Sequence, residues 1–308
     1  MAKIKIAIVG LVKIARDQHL PSIMASDAFE LVAVASPYDN LDNVRCFGDL
    51  DSMLDAMPEI EAVAICTTPQ VRYELARTAL EHGCHVLLEK PPGVTLGEVQ
   101  SLKDLAQRGG ATLFASWHSR FARGVEPARA WLTQRNISTV EINWKENVRV
   151  WHPGQTWIWK AGGLGVFDPG INALSILTRL IPGALVLNDA ELLFPSNCET
   201  PIAAQLNIQS ASGVIIHVDL DFLQAGPQTW NIDVRTDTGR LTLAMGGGVM
   251  LTDNREIAVA QSSEYSNLYA HFAQLVHQRA IDVDLTPLQL VADAFLRGRR
   301  VEVGPFTY

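Results

Sequence analysis

The sequence predicts an α/β protein, with a doubly wound parallel sheet in residues 1–120 and a mainly antiparallel sheet in residues 121–308. Three observations lead to this prediction. Apolar strands alternate with helices in the first 120 residues, a glycine turn follows the first strand, and strands recur about every ten residues from residue 187 onward. The chain of 308 residues is also longer than one hydrophobic core usually supports, which favours two domains.

The strands of the first half are predicted at residues 3–9, 31–35, 62–66, 85–88 and 112–115. Helices are predicted at residues 71–82 and 95–108, and the second opens as a capping box in which Thr95 precedes Glu98 by three residues. Strands that alternate with helices form βαβ units, whose parallel sheet is buried on both faces. The units therefore predict a doubly wound nucleotide-binding domain.

The turn after the first strand has the shape of a dinucleotide-binding turn, whose pattern is GxGxxG/A. Gly10 supplies the first glycine and Ala15 the last position, but Val12 replaces the second glycine. That middle glycine lets the backbone approach a pyrophosphate, so a β-branched residue there is expected to displace the phosphate or alter the local backbone. Taken alone, the motif is explained as readily by a plain strand-to-helix turn.

A ligand of a doubly wound sheet lies across the carboxyl ends of the strands. The cofactor-binding residues predicted there are Gly10, Val12, Lys13, Ile14, Ser36, Thr67, Thr68, Pro69, Glu89 and Lys90. An acid at the end of the second strand would bind the ribose of NAD, and an arginine would bind the 2′-phosphate of NADP. No arginine follows immediately after Ser36, and Asp39 comes three residues late. NAD is therefore the predicted cofactor, with use of both NAD and NADP as the alternative.

Lys90 has a specific chemical interpretation. It follows a strand and precedes Pro91 and Pro92, so its main chain is fixed while its long side chain is free to reach the sheet edge. The Lys90-Pro91 bond is a candidate for the cis isomer. Such a lysine can transfer a proton or bind a substrate hydroxyl, and the alternative is an ordinary surface lysine in a loop.

A segment rich in tryptophan, residues 144–178, dominates the middle of the sequence. Four of the seven tryptophans lie in its first sixteen residues, interleaved with Lys145, Glu146, His152 and Lys160. Aromatic side chains with a few convergent polar groups are typical of a small-molecule pocket, and a subunit interface is the alternative.

A predicted helix follows, opened by Asp168 and Pro169, with Asn172 one turn further on the same face. Aspartate is a preferred N-cap and proline a preferred first residue, so helix capping is the alternative role for Asp168. For Asn172 the alternative is a solvated polar stripe with Ser175 and Arg179.

The second half contains strands predicted at residues 190–194, 202–208, 214–222, 229–235 and 240–244. Strands at this spacing without intervening helices predict an antiparallel sheet. Helices at about residues 265–279 and 287–299 close the sequence, and the last is a candidate to pack on the first domain.

Composition excludes several classes of function. A net charge of −8 disfavours a nucleic-acid partner, and no apolar run approaches the length of a membrane span. The N-terminus lacks the cleavage site of a signal peptide, and the four cysteines show neither CxxC spacing nor a paired framework. A soluble, cytoplasmic protein without a metal site is expected.

The sequence resembles the glucose–fructose oxidoreductase/inositol dehydrogenase/MocA-type oxidoreductases in three segments: AIVGLVKIARDQHLPSI, LLEKPP and GGLGVFDPGINALSI. Within that family it is most similar to the bacterial D-galactose and L-arabinose 1-dehydrogenases, through WKENVRVWHPGQTWIW, SNCETPIAA and DVDLTPLQLVADAF. The resemblance implies a Rossmann domain in residues 1–120. It also implies an α+β domain in residues 121–308, with an open, mainly antiparallel sheet that covers the pocket and forms a homodimer or higher homo-oligomer.

The resemblance also implies residue roles. Lys90 matches the lysine of the family's EKP motif, which contacts substrate and takes part in catalysis. Asp168 matches an acid placed beside C1 of the substrate. Asn172 falls where most members carry a histidine, and the asparagine is typical of the sugar 1-dehydrogenase branch.

The predicted function is an NAD(P)-dependent aldose 1-dehydrogenase that converts D-galactose, L-arabinose or a D-fucose-like sugar to the aldonolactone. Asp168 is the first candidate for the base that takes the proton of the C1 hydroxyl, and Lys90 is the alternative. Sugar contacts are predicted for Asn172, Glu146, His152, Trp151, Trp159 and His118. An inositol or polyol dehydrogenase and a non-catalytic sugar or dinucleotide sensor are the other functions considered.

Overall fold

The computed structural model of the protein describes residues 2–307. The chain forms two compact units, Met1–His118 with Ser263–Leu285, and Ser119–Ser262 with Thr286–Tyr308. The first unit therefore includes a late segment that a single boundary at residue 120 leaves out. The last helix, for which a return to the first domain was predicted, lies in the second unit, and the helix before it returns instead.

The strands of residues 2–307 are β1 (Ile4–Val9), β2 (Phe29–Ala35), β3 (Arg45–Phe47), β4 (Ala62–Ile65), β5 (His85–Glu89), β6 (Leu113–Ser116), β7 (Ile137–Lys145), β8 (Leu185–Pro195), β9 (Ala203–Ser210), β10 (Ile215–Asp221), β11 (Thr229–Thr236), β12 (Gly239–Ala244), β13 (Val249–Thr252), β14 (Arg255–Ile257) and β15 (Arg299–Val303). The α-helices of the same residues are α1 (Leu20–Met24), α2 (Leu50–Ala56), α3 (Pro69–Glu81), α4 (Leu96–Gly109), α5 (Val125–Leu132), α6 (Val148–Trp151), α7 (Phe167–Leu180), α8 (Glu264–Gln278) and α9 (Thr286–Arg297). Ala15–His19 form a π-helical turn that leads directly into α1.

The first unit contains a six-stranded sheet in the order β3-β2-β1-β4-β5-β6. Its strands pair in parallel, and this is the strand order of a Rossmann fold. The predicted doubly wound sheet is therefore confirmed. The short strand β3 was not predicted, because three residues are too few to show an alternating pattern.

Helix α4 begins at the capping box that the sequence predicts, whereas α3 begins two residues earlier than predicted. The capping box of α4 is present, with Thr95 and Glu98 each bonded to the other's backbone, and the helix ends at Gly110 in the left-handed region. Pro69 occupies the first turn of α3, where its missing N–H costs nothing.

Helix α8 supplies one face of the first unit's core. The ring of Phe272 stacks on Phe29, with 5.7 Å between centroids, and on Phe114, with 6.0 Å. Both partners belong to strands of the parallel sheet, and all three side chains are almost fully buried. This packing explains why the segment Ser263–Leu285 belongs to the first unit.

The second unit contains a nine-stranded sheet in the order β14-β13-β12-β11-β7-β10-β9-β8-β15. Only β7 with β10 and β8 with β15 pair in parallel, so the predicted mainly antiparallel sheet is confirmed. Strand β7 was not predicted, although it lies near the middle of the sheet. Its alternate residues Val140, Ile142 and Trp144 are buried.

Helix α7 packs closely on the second sheet. A Cβ atom added at Gly170, in its first turn, would lie only 2.6 Å from Cδ1 of Leu220 on β10. A glycine is therefore needed for this approach. The contact fixes the first turn of α7, which carries Asp168, against the sheet.

Among residues 2–307, none of the helices combines the length and the hydrophobicity that crossing a bilayer requires.

Candidate active site

Gly10 marks the carboxyl edge of the first sheet. Its φ of +89° favours glycine, and an added Cβ would lie 2.9 Å from Cγ2 of Thr67. Its N–H donates to the carbonyl of Ala35, at 2.9 Å. The ends of β1, β2 and β4 therefore meet at this glycine.

Thr67 and Thr68 follow β4 at the same edge. The hydroxyl of Thr67 is buried and has no hydrogen-bond partner among residues 2–307. Thr68 is the N-cap of α3, and its side chain makes no capping bond. Buried hydroxyls are nearly always bonded, and helix N-termini bind phosphates. The close turn at Gly10, the unpaired hydroxyl and the open helix start fit a dinucleotide cofactor.

The remaining predicted cofactor residues of the glycine turn differ in exposure. Val12 is 41% exposed, Ile14 is half-buried, and Lys13 forms an exposed ion pair with Asp17. The backbone N–H of Ser36 donates to Phe47 on β3, at 2.9 Å. Contact of these residues with a cofactor remains a prediction.

Glu89, the last residue of β5, holds the main chain of Lys90. Its Oε2 accepts the N–H of Lys90 at 2.8 Å. Its Oε1 accepts the hydroxyl of Tyr265 at 2.7 Å and lies 3.1 Å from Nε2 of His19, whose Nδ1 lies 2.7 Å from the hydroxyl of Tyr269. A buried network thus fixes the residue that precedes the predicted catalytic lysine.

The network contains a buried ion pair. Burial by itself lowers the pKa of His19, but the sulfur of Cys66 and the carboxylate of Glu89 outweigh it and raise the pKa to about 10. Burial raises the pKa of Glu89, but hydrogen bonding and the charge of His19 hold it well below its usual range. Burial and the Glu89 carboxylate raise the pKa of Tyr265, which therefore stays a donor.

Arg72 ties the ends of two strands together. It is buried, and its Nη1 donates to the carbonyl of Glu89, at 2.6 Å, and to that of Pro91. Its Nη2 donates to the carbonyl of Thr67. The Lys90-Pro91 bond is cis, as predicted. One guanidinium therefore fixes the backbone on both sides of Lys90 and at Thr67.

His118 lies in the first unit. Its Nδ1 is 2.9 Å from Oε2 of Glu264, and its ring stacks on Tyr265, with 5.4 Å between centroids. Its predicted contact with the sugar remains a prediction.

Asp168 lies one residue inside α7, which begins at Phe167. The N-cap residue of α7 is Val166, so Asp168 does not occupy the N-cap position that the alternative role supposes. The carboxylate is buried, and buried carboxylates need polar partners.

His152 links Asp168 to a second buried carboxylate. Its Nε2 lies 2.9 Å from Oε1 of Glu146, and its Nδ1 lies 3.6 Å from Oδ2 of Asp168. The other oxygen of Glu146 accepts Nε1–H of Trp230, at 2.9 Å. The structure thus brings three predicted site residues into one chain of polar contacts and adds Trp230, which the sequence analysis missed.

The predicted aromatic wall divides into exposed and buried parts. Trp151 is partly exposed and lies 4.7 Å from Trp230, ring centroid to ring centroid, and Trp230 stacks on Trp144 at 5.9 Å. Trp159 is buried and packs on Phe222, at 5.7 Å. Trp151 and the half-buried Trp230 therefore offer the accessible indole surface, and Trp159 belongs to the buried part.

Asn172 is half-buried, one turn after Asp168 on α7. Its carbonyl accepts the hydroxyl of Ser175 at 2.7 Å, and Ser175 is fully buried. The alternative of a solvated polar stripe therefore fails at Ser175.

Within residues 2–307, no three His, Cys, Asp or Glu side chains are arranged to hold a metal ion.

Known proteins resemble this chain along its whole length. It is 44% identical to galactose 1-dehydrogenase of Pseudomonas fluorescens over 306 residues, which cover 99% of both chains. The crystal structure of a D-galactose-1-dehydrogenase protein from Rhizobium etli matches with a TM-score of 0.96 and 48% identity, covering 100% of this chain and 99% of that one. An inositol dehydrogenase homologue from Azotobacter vinelandii, with a TM-score of 0.77, 19% identity and coverage of 90% and 87%, shares the fold.

A family model for oxidoreductases with an NAD-binding Rossmann fold matches residues 4–116, which include β1 to β6. The motifs quoted from the sequence, the strand order and a relative of this identity over the whole chain agree. The chain belongs to the glucose–fructose oxidoreductase/inositol dehydrogenase/MocA family of oxidoreductases.

Proposed function

We propose that this oxidoreductase is an aldose 1-dehydrogenase that oxidises C1 of D-galactose, or of a similarly configured sugar such as L-arabinose or D-fucose, to the aldonolactone. The observation that carries the proposal is the chain of buried contacts from Asp168 through His152 to Glu146 and Trp230. Likeness to galactose 1-dehydrogenases over the whole chain supports it.

Removal of a hydride from C1 requires a base for the C1 hydroxyl and partners for the other hydroxyls. The nicotinamide cofactor supplies the hydride acceptor. Asp168 is the proposed base, because its carboxylate is buried and lies 3.6 Å from Nδ1 of His152. Lys90 is proposed to bind a substrate hydroxyl or to relay the proton, on a main chain that Glu89 and Arg72 hold rigid.

Glu146 and His152 are proposed to bind sugar hydroxyls. A carboxylate accepts about four hydrogen bonds, and His152 and Trp230 each bond to a different oxygen of Glu146. Sites that bond substrate hydroxyls reject sugars that lack them, so this pair would discriminate between epimers. The accessible indole of Trp151 is proposed to pack on the apolar face of the sugar ring.

An initial-rate panel tests the proposal. D-Galactose, L-arabinose, D-fucose, D-glucose and myo-inositol are each supplied with NAD and with NADP, and reduced nicotinamide is followed by its absorbance. Rapid turnover of galactose or arabinose and slow turnover of inositol is the expected result. Binding of dinucleotide without turnover of any sugar would leave the sensor function instead.

The role of Asp168 is tested by Asp168→Asn. We expect kcat to fall by about 10²–10⁴-fold, the usual contribution of a general base, while NADH binding is retained. Asp219→Asn is the matched control, because it removes a carboxylate of the same unit that pairs with Lys145 on the sheet. A kcat near that of the wild type would move the base to another residue.

A further inference from the structure

An ion pair joins the turn after Gly10 to the loop after β2. Nη2 of Arg16 donates to Oδ2 of Asp39 and, at 3.4 Å, to the carbonyl of Asn40. The side chains are 38% and 48% exposed, so both are accessible to a ligand. The sequence analysis considered Asp39 alone, because the pairing with Arg16 depends on the fold.

The position of the Arg16–Asp39 ion pair in the fold suggests its function. Gly10 bonds to Ala35, the last residue of β2, and Asp39 follows four residues later. In a Rossmann fold, residues just after the second strand contact the 2′ position of the adenosine ribose. The arginine and the carboxylate therefore lie together where the two nicotinamide cofactors differ.

The two charges favour different cofactors. A 2′-hydroxyl needs an acceptor, which Asp39 provides, whereas a 2′-phosphate needs a cation, which Arg16 provides. While the pair is formed, the carboxylate of Asp39 would repel a phosphate, and the guanidinium of Arg16 would already be hydrogen-bonded to Asp39. The hydrogen bond from Arg16 lowers the pKa of Asp39, which keeps the carboxylate charged. Exposed ion pairs are weak, so an arriving phosphate can break this one.

We propose that Arg16 and Asp39 together discriminate between NAD and NADP, with Asp39 withholding Arg16 from the 2′-phosphate. With NAD, Asp39 accepts the ribose hydroxyl while Arg16 stays paired to it. With NADP, Arg16 leaves Asp39 and binds the phosphate. The inference rests on dinucleotide binding by the first unit, and it is independent of the sugar that the protein oxidises.

A double-mutant cycle tests the pair. NADH and NADPH are titrated into the wild type, Asp39→Asn, Arg16→Gln and the double variant, without sugar, and binding is followed by nucleotide fluorescence. We expect Asp39→Asn to tighten NADPH binding about tenfold, the effect of roughly one charge–charge contact. Adding Arg16→Gln should abolish this gain. NADH affinity of Asp39→Asn should not rise but fall, because an amide oxygen accepts the ribose hydroxyl less strongly than a carboxylate.

Glu81→Gln is the matched control, because it removes one partner of an exposed ion pair, with Arg77, at the far end of α3. It should leave both affinities unchanged. Equal NADPH affinity of Asp39→Asn and the double variant would overturn the proposal, since Arg16 would then bind no phosphate. An Asp39→Asn effect equal for both dinucleotides, or shared by Glu81→Gln, would also overturn it.

The outcomes separate this inference from the proposed function. If the cycle shows the expected coupling but no sugar is oxidised, the sugar dehydrogenase proposal fails and the role of Arg16 and Asp39 stands. If galactose is oxidised but the cycle shows no coupling, the sugar dehydrogenase proposal stands and the role of Arg16 and Asp39 fails.

Discussion

Nε2 of His152 lies 2.9 Å from Oε1 of Glu146, and the two side chains are only 14% and 2% exposed. The opposite ring nitrogen faces the carboxylate of Asp168. An imidazole between two buried carboxylates reduces the repulsion between them and fixes the orientation of each carboxylate. The geometry of the proposed base therefore depends on His152.

Replacement of His152 by alanine is expected to lower kcat/KM for the sugar about 100-fold, because both carboxylates lose their common partner. Steady-state kinetics measure the loss, and NADH titration should show unchanged affinity. His217→Ala, at an exposed histidine on β10, is the control. A kcat/KM within twofold of the wild type would show that the ring does not position Asp168.

Replacement of Thr67 by valine separates cofactor binding from stability. The hydroxyl has no partner in the described protein, so its removal should leave the free energy of unfolding unchanged or raise it slightly. NADH affinity should fall about 3- to 10-fold if the hydroxyl binds the dinucleotide. Urea unfolding and NADH titration measure the two effects. Unchanged NADH affinity would remove Thr67 from the cofactor site.

The ion pair of His19 and Glu89 predicts a dependence of stability on pH. The pKa of His19 rises on folding from 6.5 to about 10, so its stabilising contribution is complete below about pH 6.5 and is lost as the pH rises through 10. The pKa of Glu89 falls on folding, so its contribution is present above its unfolded value of 4.5 and is lost in acid. The pair therefore stabilises the protein most between these unfolded values.

Urea unfolding of the wild type and His19→Gln at about pH 7 and about pH 9.5 tests this dependence. The variant should be less stable at neutral pH, by about 3–5 kcal/mol, because Glu89 is left buried without its partner. Between about pH 7 and about pH 9.5, the free energy of unfolding should also fall less in His19→Gln than in the wild type. Tyr269→Phe, which keeps the ion pair, should retain the wild-type slope. Equal slopes for all three proteins would contradict a charged His19.

Phe306 packs on Trp159, one of the residues proposed to contact the sugar. Its ring packs on Trp159, at 4.9 Å, and its backbone N–H and carbonyl both bond to the side chain of Asn197. We expect Phe306→Ala to cost about 3 kcal/mol of stability and to raise KM for the sugar, with NADH affinity unchanged. Phe306→Leu should restore most of the stability and bring KM for the sugar back towards the wild-type value. Thermal unfolding and steady-state kinetics measure them, and an unchanged KM in Phe306→Ala would contradict the supporting role.

Much of the fold was predictable because its strands are buried on both faces, and such strands appear as continuous apolar runs. Ala62–Ile65 is such a strand. The missed strands lack this signal. Arg45–Phe47 is too short, and Arg299–Val303 carries two arginines at a sheet edge. Buried and exposed residues alternate along Ile137–Lys145. This strand was missed because it runs into the tryptophan-rich segment, which was interpreted as the wall of a pocket.

The candidate site was less predictable than the fold. Lys90 and Asp168 stand in local motifs, so a single sequence is enough to predict them as site residues. Trp230 reaches Glu146 because β11 pairs with β7 in a register that places it opposite Trp144. Distant strand register cannot be read from either segment alone. The pairing of Arg16 with Asp39 likewise depends on how the π-helical turn and the loop after β2 fold.

The return of α8 to the first unit sets the order in which a newly made chain can fold. Phe272 follows almost the entire second unit in the sequence, yet it covers Phe29 and Phe114 in the first sheet. Domains usually fold as they leave the ribosome, N-terminal first. Here the parallel sheet emerges long before its cover is synthesised, so we expect Phe29 and Phe114 to stay exposed until Phe272 has been made. We therefore expect competence to bind a dinucleotide only after residues 263–285 have been synthesised.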